Sequence, residues 1–235
     1  MEEILYVEDV IVPLIAIPEN AANKFRFLGT GFYIDEKGYL ITCRHITDAV
    51  NENERLFTYQ LGKRRELELK LINRSTQYDI SLCKSDPSEV ENPWPFFDAP
   101  YINIGSDVEV YGYFHEPLGP KELPFRQRYM KGYISGISRE TSYPDSYELN
   151  FPILFGMSGS PLVCHIPIEG ENKRQTGIVG CVYGSRESEV VHYTVISSEN
   201  YEERVSRIVE LGLSYMPKAL FSVFEGSGIN IRIFS

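Results

Sequence analysis

Gly156-Met157-Ser158-Gly159-Ser160-Pro161-Leu162-Val163 is the stretch on which the reading of this chain turns. Gly156 and Gly159 bracket a serine where the backbone must bend sharply, just ahead of a run with strand composition. A glycine two residues before Ser158 lets the N–H groups of Gly156 and Ser158 converge on one point, the geometry of an oxyanion hole. Read alone, the same residues also describe a Gly/Ser-rich turn entering a strand. Partners elsewhere in the chain have to decide.

Two other short segments supply residue types such a serine needs. Tyr39-Leu40-Ile41-Thr42-Cys43-Arg44-His45 ends a hairpin, so His45 is held by a rigid frame yet sits at its rim. Asp35-Glu36-Lys37-Gly38 is the turn of that hairpin, with Gly38 at the position that needs positive φ. Tyr78-Asp79-Ile80-Ser81-Leu82 sets an acid immediately before a short apolar strand. Singly, His45 reads as a polar surface residue and Asp79 as a turn cap; together with Ser158 they form a base, an acid and a nucleophile.

The rest of the chain is consistent with a β scaffold. Its 235 residues are 43% hydrophobic and 13% aromatic, with 18 Gly and 14 Pro punctuating short apolar runs that show little helical period. Strand composition marks 11–17, 31–34, 39–42, 67–72, 80–83, 108–114, 131–138, 147–151, 160–164, 176–183 and 190–197. Pro87, Pro93, Pro95 and Pro100 cannot all join a sheet, so 85–100 reads as the join between halves, with a boundary near 98. The expected organisation is an N-terminal barrel over 1–98, a C-terminal barrel over 99–198, and a helix with tail over 199–235. Tyr201, Val205, Ile208 and Val209 recur at helical spacing, which predicts an amphipathic helix over 200–212.

Composition excludes several roles. Asp and Glu number 33 against 23 Lys and Arg, a net charge of −10 that repels polyphosphates, so nucleic acid is not an expected partner. No apolar run approaches the roughly 20 residues a membrane helix needs, so no membrane partner is expected either. Cys43, Cys83, Cys164 and Cys181 contain no C-x-x-C pair, and the chain opens Met-Glu-Glu with no basic n-region. The expected compartment is therefore reducing cytoplasm. A metal site from Cys43, His45, Cys164 and His165 matches no common zinc spacing, so neither metal nor cofactor is expected.

In order and wording, the motifs resemble the chymotrypsin-like serine proteases, most closely the bacterial Deg/HtrA branch. Gly29-Thr30-Gly31-Phe32, Gly38-Tyr39-Leu40-Ile41-Thr42-Cys43-Arg44-His45, Asp79-Ile80-Ser81-Leu82 and Gly156-Met157-Ser158-Gly159-Ser160-Pro161 are similar to that branch's characteristic segments, in the order His, Asp, Ser. The resemblance spans about residues 10 to 210, and no PDZ module is expected after it. It implies an all-β fold of two antiparallel six-stranded barrels and a serine endopeptidase acting through His45, Asp79 and Ser158. Gly156 and Ser158 N–H groups would hold the oxyanion.

The first specificity pocket would draw on Pro152 and Ile153, with His192 on a strand that lines it in relatives. No acid stands there, which predicts a small or medium apolar residue before the cut. The implied partners are a protein or peptide substrate and a regulatory partner that orders the cleft. The alternative is a protease-fold module that binds peptides or partner proteins without cleaving them. The chain departs from the branch's pattern at Arg44, Met157 and Ser160, and Ile46 stands where secreted relatives have a cysteine.

Overall fold

The computed structural model describes residues 7–235 apart from 22–23, 86–89, 91–92, 98–101, 117–122, 140–144, 168–173, 197–201, 226, 230, 232 and 235; side chains at 8, 188–196, 202–208 and 234 are also outside the description. A one-turn helix, α1 (Val7–Val10), leads into the first barrel. Its strands are β1 (Ile11–Pro18), β2 (Arg26–Tyr33), β3 (Tyr39–Thr42), β4 (Glu54–Gln60), β5 (Arg65–Arg74) and β6 (Ser81–Ser85). They close in the order β1-β2-β3-β6-β5-β4.

The β2–β3 hairpin forms as its turn predicts. Asp35 Oδ1 accepts the N–H groups of Lys37 at 3.0 Å and Tyr39 at 2.9 Å, and Gly38 adopts φ +88°. After β3 a short helix, α2 (Arg44–Asp48), carries His45 out of the sheet. β4 was not anticipated from sequence. Only Leu56, Thr58 and Gln60 of Glu54–Gln60 turn fully inward, and two of those three are polar.

The second half begins with β7 (Phe96–Phe97), which pairs in parallel with β12 (Arg174–Ile196) at Ile178. Phe96 and Phe97 thus already pair with the second sheet, two residues ahead of the expected boundary. The remaining strands are β8 (Asp107–His115), β9 (Phe125–Ser138), β10 (Ser146–Leu149), β11 (Pro161–Pro167) and β13 (Glu202–Tyr215). They pair in the order β11-β8-β9-β10-β13-β12, and a β11–β12 pairing returns the sheet to its start as a ring of six. A short helix, α3 (Pro217–Phe221), and β14 (Ile233–Phe234) follow. No helix among the described residues is long and apolar enough to cross a membrane.

One expected element is corrected. Residues 200–212, predicted as an amphipathic helix, lie mostly in strand β13, which pairs with β10 from Ser146↔Tyr215 to Leu149↔Gly212 and with β12 along its whole length. Without it the second sheet would lack its sixth strand, and the pairing energy of two neighbours outweighs a weak local period. The segment 199–235 is therefore no separate helical appendix; its first part completes the second barrel.

The cores explain how the halves hold one another. Met157 packs with Val108, Val110, Leu149, Leu162, Val179 and Val182 inside the second barrel. Tyr113, Val163, Ile178, Cys181 and Tyr215, all from the second half, join the apolar cluster built on Ile11, Phe32, Leu40 and Ile46 of the first. The seam between the barrels is thus packed largely with apolar side chains, and the site opens along its rim.

Candidate active site

His45 and Asp79 meet through two hydrogen bonds. Asp79 Oδ2 lies 2.5 Å from His45 Nδ1, and Asp79 Oδ1 accepts the His45 backbone N–H at 2.7 Å. The imidazole is half exposed while the carboxylate is three-quarters covered. This two-point contact directs Nε2 away from Asp79 and leaves it as the basic nitrogen when Nδ1 carries the proton. The acid is itself held: the Arg44 N–H donates to the Asp79 carbonyl at 3.1 Å, and the Asp79 N–H donates to the Tyr215 hydroxyl at 3.2 Å. Tyr215 stands on β13 and stacks on Tyr183 at 4.1 Å between ring centres, so strand 202–215 supports the acid directly.

Ser158 sits on a loop whose conformation only glycine permits. Gly156 has φ +98°, and a Cβ there would stand 2.5 Å from the Phe27 ring and 2.9 Å from the Tyr113 carbonyl. Gly159 has φ +86°, and a Cβ would meet the Thr30 carbonyl at 2.1 Å. Met157 donates to Leu154 O and Gly159 to Val182 O, whereas neither the Gly156 nor the Ser158 N–H has a protein acceptor among the described residues. Those two donors are the pair singled out for an oxyanion. The Ser158 hydroxyl donates to the Tyr183 carbonyl at 3.2 Å; among the described residues it makes no hydrogen bond to His45.

Thr30, quoted above only as part of a motif, ties the two halves together. Its hydroxyl donates to the Gly156 carbonyl at 2.9 Å and accepts the Tyr113 N–H at 2.9 Å; its own N–H donates to the Ser158 carbonyl at 3.0 Å, and its carbonyl accepts the Thr42 hydroxyl at 2.7 Å. It is fully buried. Two of these four bonds seat the serine loop against the first barrel, a third ties in β8 through Tyr113, and the fourth, from Thr42, stays within the first barrel. A polar residue between two glycines in a strand was the only sequence signal for it.

The departures from the family pattern have local explanations. Met157 is buried and fills the second core, so it makes no polar contact beside the nucleophile. Ser160 is buried against Gly112, where its Oγ has no hydrogen-bond partner. Arg44 turns toward the Ser75 carbonyl, 3.2 Å away, and Asp48.

The predicted pocket residues divide. Ile153 is buried, and its N–H donates to Ser185 Oγ at 2.7 Å; Pro152 beside it is half buried. His192 pairs with Ser206 on the β12–β13 ribbon, nine residues beyond Tyr183. About 23 Å of extended strand separates His192 from Ser185, the β12 residue that Ile153 contacts; the His192 side chain lies outside the described residues. Phe155, three-quarters exposed and edge-on to His115, is a surface aromatic at the mouth that sequence reasoning did not single out. Of the residues considered for a metal, His165 is engaged by Glu109 and Thr176, each 2.9 Å from a ring nitrogen. Ligand atoms of Cys43, His45 and Asp79 lie within 4.8 Å of one another.

The family model described as a trypsin-like peptidase domain matches residues 29–165, more than half of the chain and the whole span from Gly29 through His45, Asp79 and Ser158. The chain belongs to the trypsin-like peptidase family. Within that family its similarities lie on the DegP/HtrA side. It is 28% identical over 139 residues to a probable periplasmic serine endoprotease DegP-like of Pseudomonas fluorescens, covering 57% of this chain and 26% of that protein. A protein of the same name from Halomonas elongata is 28% identical over 154 residues, covering 64% and 30%. The chain thus spans between a quarter and a third of these relatives' length.

Among solved structures, the HtrA-type protease AlgW with decapeptide superimposes at TM-score 0.59 and 16% identity, covering 91% of this chain and 62% of that one. The Rv3671c protease from M. tuberculosis, active form, does so at TM-score 0.60 and 16% identity, covering 97% and 84%. Both share the two-barrel fold. The periplasmic names of the DegP-like relatives overturn the cytoplasmic address expected from the cysteines and N-terminus.

Proposed function

We propose that this trypsin-like peptidase domain is a serine endopeptidase that cuts extended polypeptide segments. The observation that carries the reading is the two-point His45–Asp79 contact at the rim that also carries a glycine-bracketed serine and two unengaged N–H groups. In the mechanism, Ser158 Oγ turns about χ1 from the Tyr183 carbonyl to His45 Nε2, which takes its proton as Oγ attacks the scissile carbonyl. Asp79 keeps the imidazole in the right tautomer and stabilises the imidazolium. The Gly156 and Ser158 N–H groups hold the developing oxyanion. His45 returns the proton to the leaving amine, and water resolves the acyl-enzyme.

Substrate has a place to lie. β12 pairs with β11 as far as Pro161↔Cys181, Val182 bonds through both its N–H and its carbonyl to Ser160 and Gly159 of the serine loop, and from Gly184 onward no backbone partner holds that edge among the described residues. An extended chain adding to that edge brings its carbonyl to the serine. Ile153 and Phe155 offer apolar surface nearby and no acid, which supports cleavage after small or medium apolar residues. The natural substrate would be a protein or peptide, as the decapeptide with AlgW suggests by analogy, and a regulatory partner that orders the cleft would set the serine rotamer.

One observation favours a second reading, a peptide-binding module without catalysis: the Ser158 hydroxyl is donated to Tyr183 and not to His45. A fluorophosphonate probe separates the two, because only an activated serine reacts. Stoichiometric labelling of the protein, absent in Ser158→Ala together with a fall in peptide hydrolysis of about 10⁶-fold, is the expected result. An unlabelled, folded wild-type protein leaves the binding module.

A further inference from the structure

Cys43 and Cys181 are 138 positions apart in sequence and come from opposite barrels, yet their thiols converge on one carbonyl at the seam. Cys43 is the residue from which α2 starts, two before His45; Cys181 lies in β12, two before Tyr183, whose carbonyl receives the Ser158 hydroxyl. Both are completely buried. Each thiol is directed at the same acceptor, the Val182 carbonyl, at 3.5 Å for Cys43 and 3.8 Å for Cys181. Cys43 Sγ also lies within 4.8 Å of ligand atoms of His45 and Asp79.

The geometry points to Cys43 and Cys181 as a disulfide site that staples the two barrels behind the catalytic groups. Three features favour closure. First, Val182 O already accepts the Gly159 N–H at 2.8 Å, so with two lone pairs it is oversubscribed by three donors; losing both S–H groups leaves no buried acceptor unpaired. Second, both sulfurs lie within 3.8 Å of one carbonyl oxygen, which brings them to the same point of the seam for an S–S bond of about 2.05 Å. Third, the relatives' names place them in the periplasm, an oxidising compartment where such bonds persist.

Redox balance is simple. One cysteine attacks a low-molecular-weight disulfide, forming a mixed disulfide and releasing one thiol; the second cysteine attacks the mixed disulfide and releases the other. Two protein thiols and one disulfide become one protein disulfide and two thiols. Burial, the neighbouring thiol and the Asp79 charge push the Cys43 thiol up, so it is a poor nucleophile in the folded protein. The bond therefore forms as the barrels dock during folding and is afterwards shielded from reductant.

The test refolds the full chain in a mixture of oxidised and reduced glutathione and, in parallel, under a phosphine reductant. Peptide mapping without reduction is expected to link the segments carrying Cys43 and Cys181, with Cys83 and Cys164 free, and the oxidised protein to melt about 10 °C higher. A Cys83→Ser/Cys164→Ser double variant should keep both results, whereas Cys181→Ala should lose them. Four free thiols after oxidative refolding, or linkage of Cys43 to any cysteine other than Cys181, overturns the assignment. Mapping needs only wild-type protein and no activity, so a negative fluorophosphonate result leaves this inference standing, and the converse holds.

Discussion

Replacing Thr30 with valine isolates what the hydroxyl between the two barrels contributes. Valine has nearly the same shape, so packing is kept, but the Gly156 carbonyl loses its donor and the Tyr113 N–H its acceptor, both in a fully buried site. Each orphaned group costs about 1–3 kcal/mol, and the added methyl surface returns about 1 kcal/mol. The net expectation is a loss of about 3 kcal/mol. For a chain of this size that lowers Tm by about 6–12 °C. Activity should fall too, because Gly156 holds a left-handed φ of +98° that its anchored carbonyl helps maintain, and one oxyanion donor depends on it. Loss of a whole donor costs about 10²–10³ in kcat, so a loosened one should cost about 10–100-fold in kcat with KM little changed. Thr30→Ser retains both hydrogen bonds and should recover kcat to within about twofold. Thermal melting with a fluorogenic peptide assay measures both effects. A Thr30→Val protein that melts within 2 °C of wild type and keeps kcat within about twofold would falsify the reasoning.

Two further expectations concern charge and selectivity. Burial alone would raise the Glu109 carboxyl, but hydrogen bonds from His165, Lys131, Tyr111 and Tyr129 outweigh it and bring it down to about 2. Because the folded value lies below the ordinary one, the stabilisation is fully present above about pH 4.5 and is lost as pH falls toward 2, amounting to about 3 kcal/mol. Urea unfolding from pH 6 to pH 2 should show that decline in wild type and a shallower one in Glu109→Gln; equal slopes would remove the assignment. In a peptide library, cleavage should favour small or medium apolar residues before the cut, given Ile153 and the absence of an acid beside it. Strict cleavage after Arg or Lys contradicts that pocket.

Local pattern carried the first barrel further than the second. Strand β3 at Tyr39–Thr42 falls where its apolar run predicts, because a turn made by Asp35 and Gly38 needs no distant partner. β4 escaped notice because polar residues supply two of its three fully inward positions, so its alternation was faint. Ile208 and Val209 fit a helical stripe, yet β13 is a strand because Gly212 and Tyr215 complete a ladder between β10 and β12. Periodicity reports on neighbours in sequence, and the pairing with β10 joins residues more than 60 positions apart.

The candidate site divides along the same line. His45, Asp79 and Ser158 were legible from residue type, order and flanking glycines, since strand ends and positive-φ turns leave their mark in the few residues around them. Only the tertiary structure decided that Thr30 seats the serine loop, that Tyr215 braces the acid, that His192 lies on the β12–β13 ribbon, and that Cys43 and Cys181 point at one carbonyl. These depend on which side chains converge when two closed barrels dock. Convergence of that kind is set by register and seam packing over the whole chain, and no short window of sequence contains it.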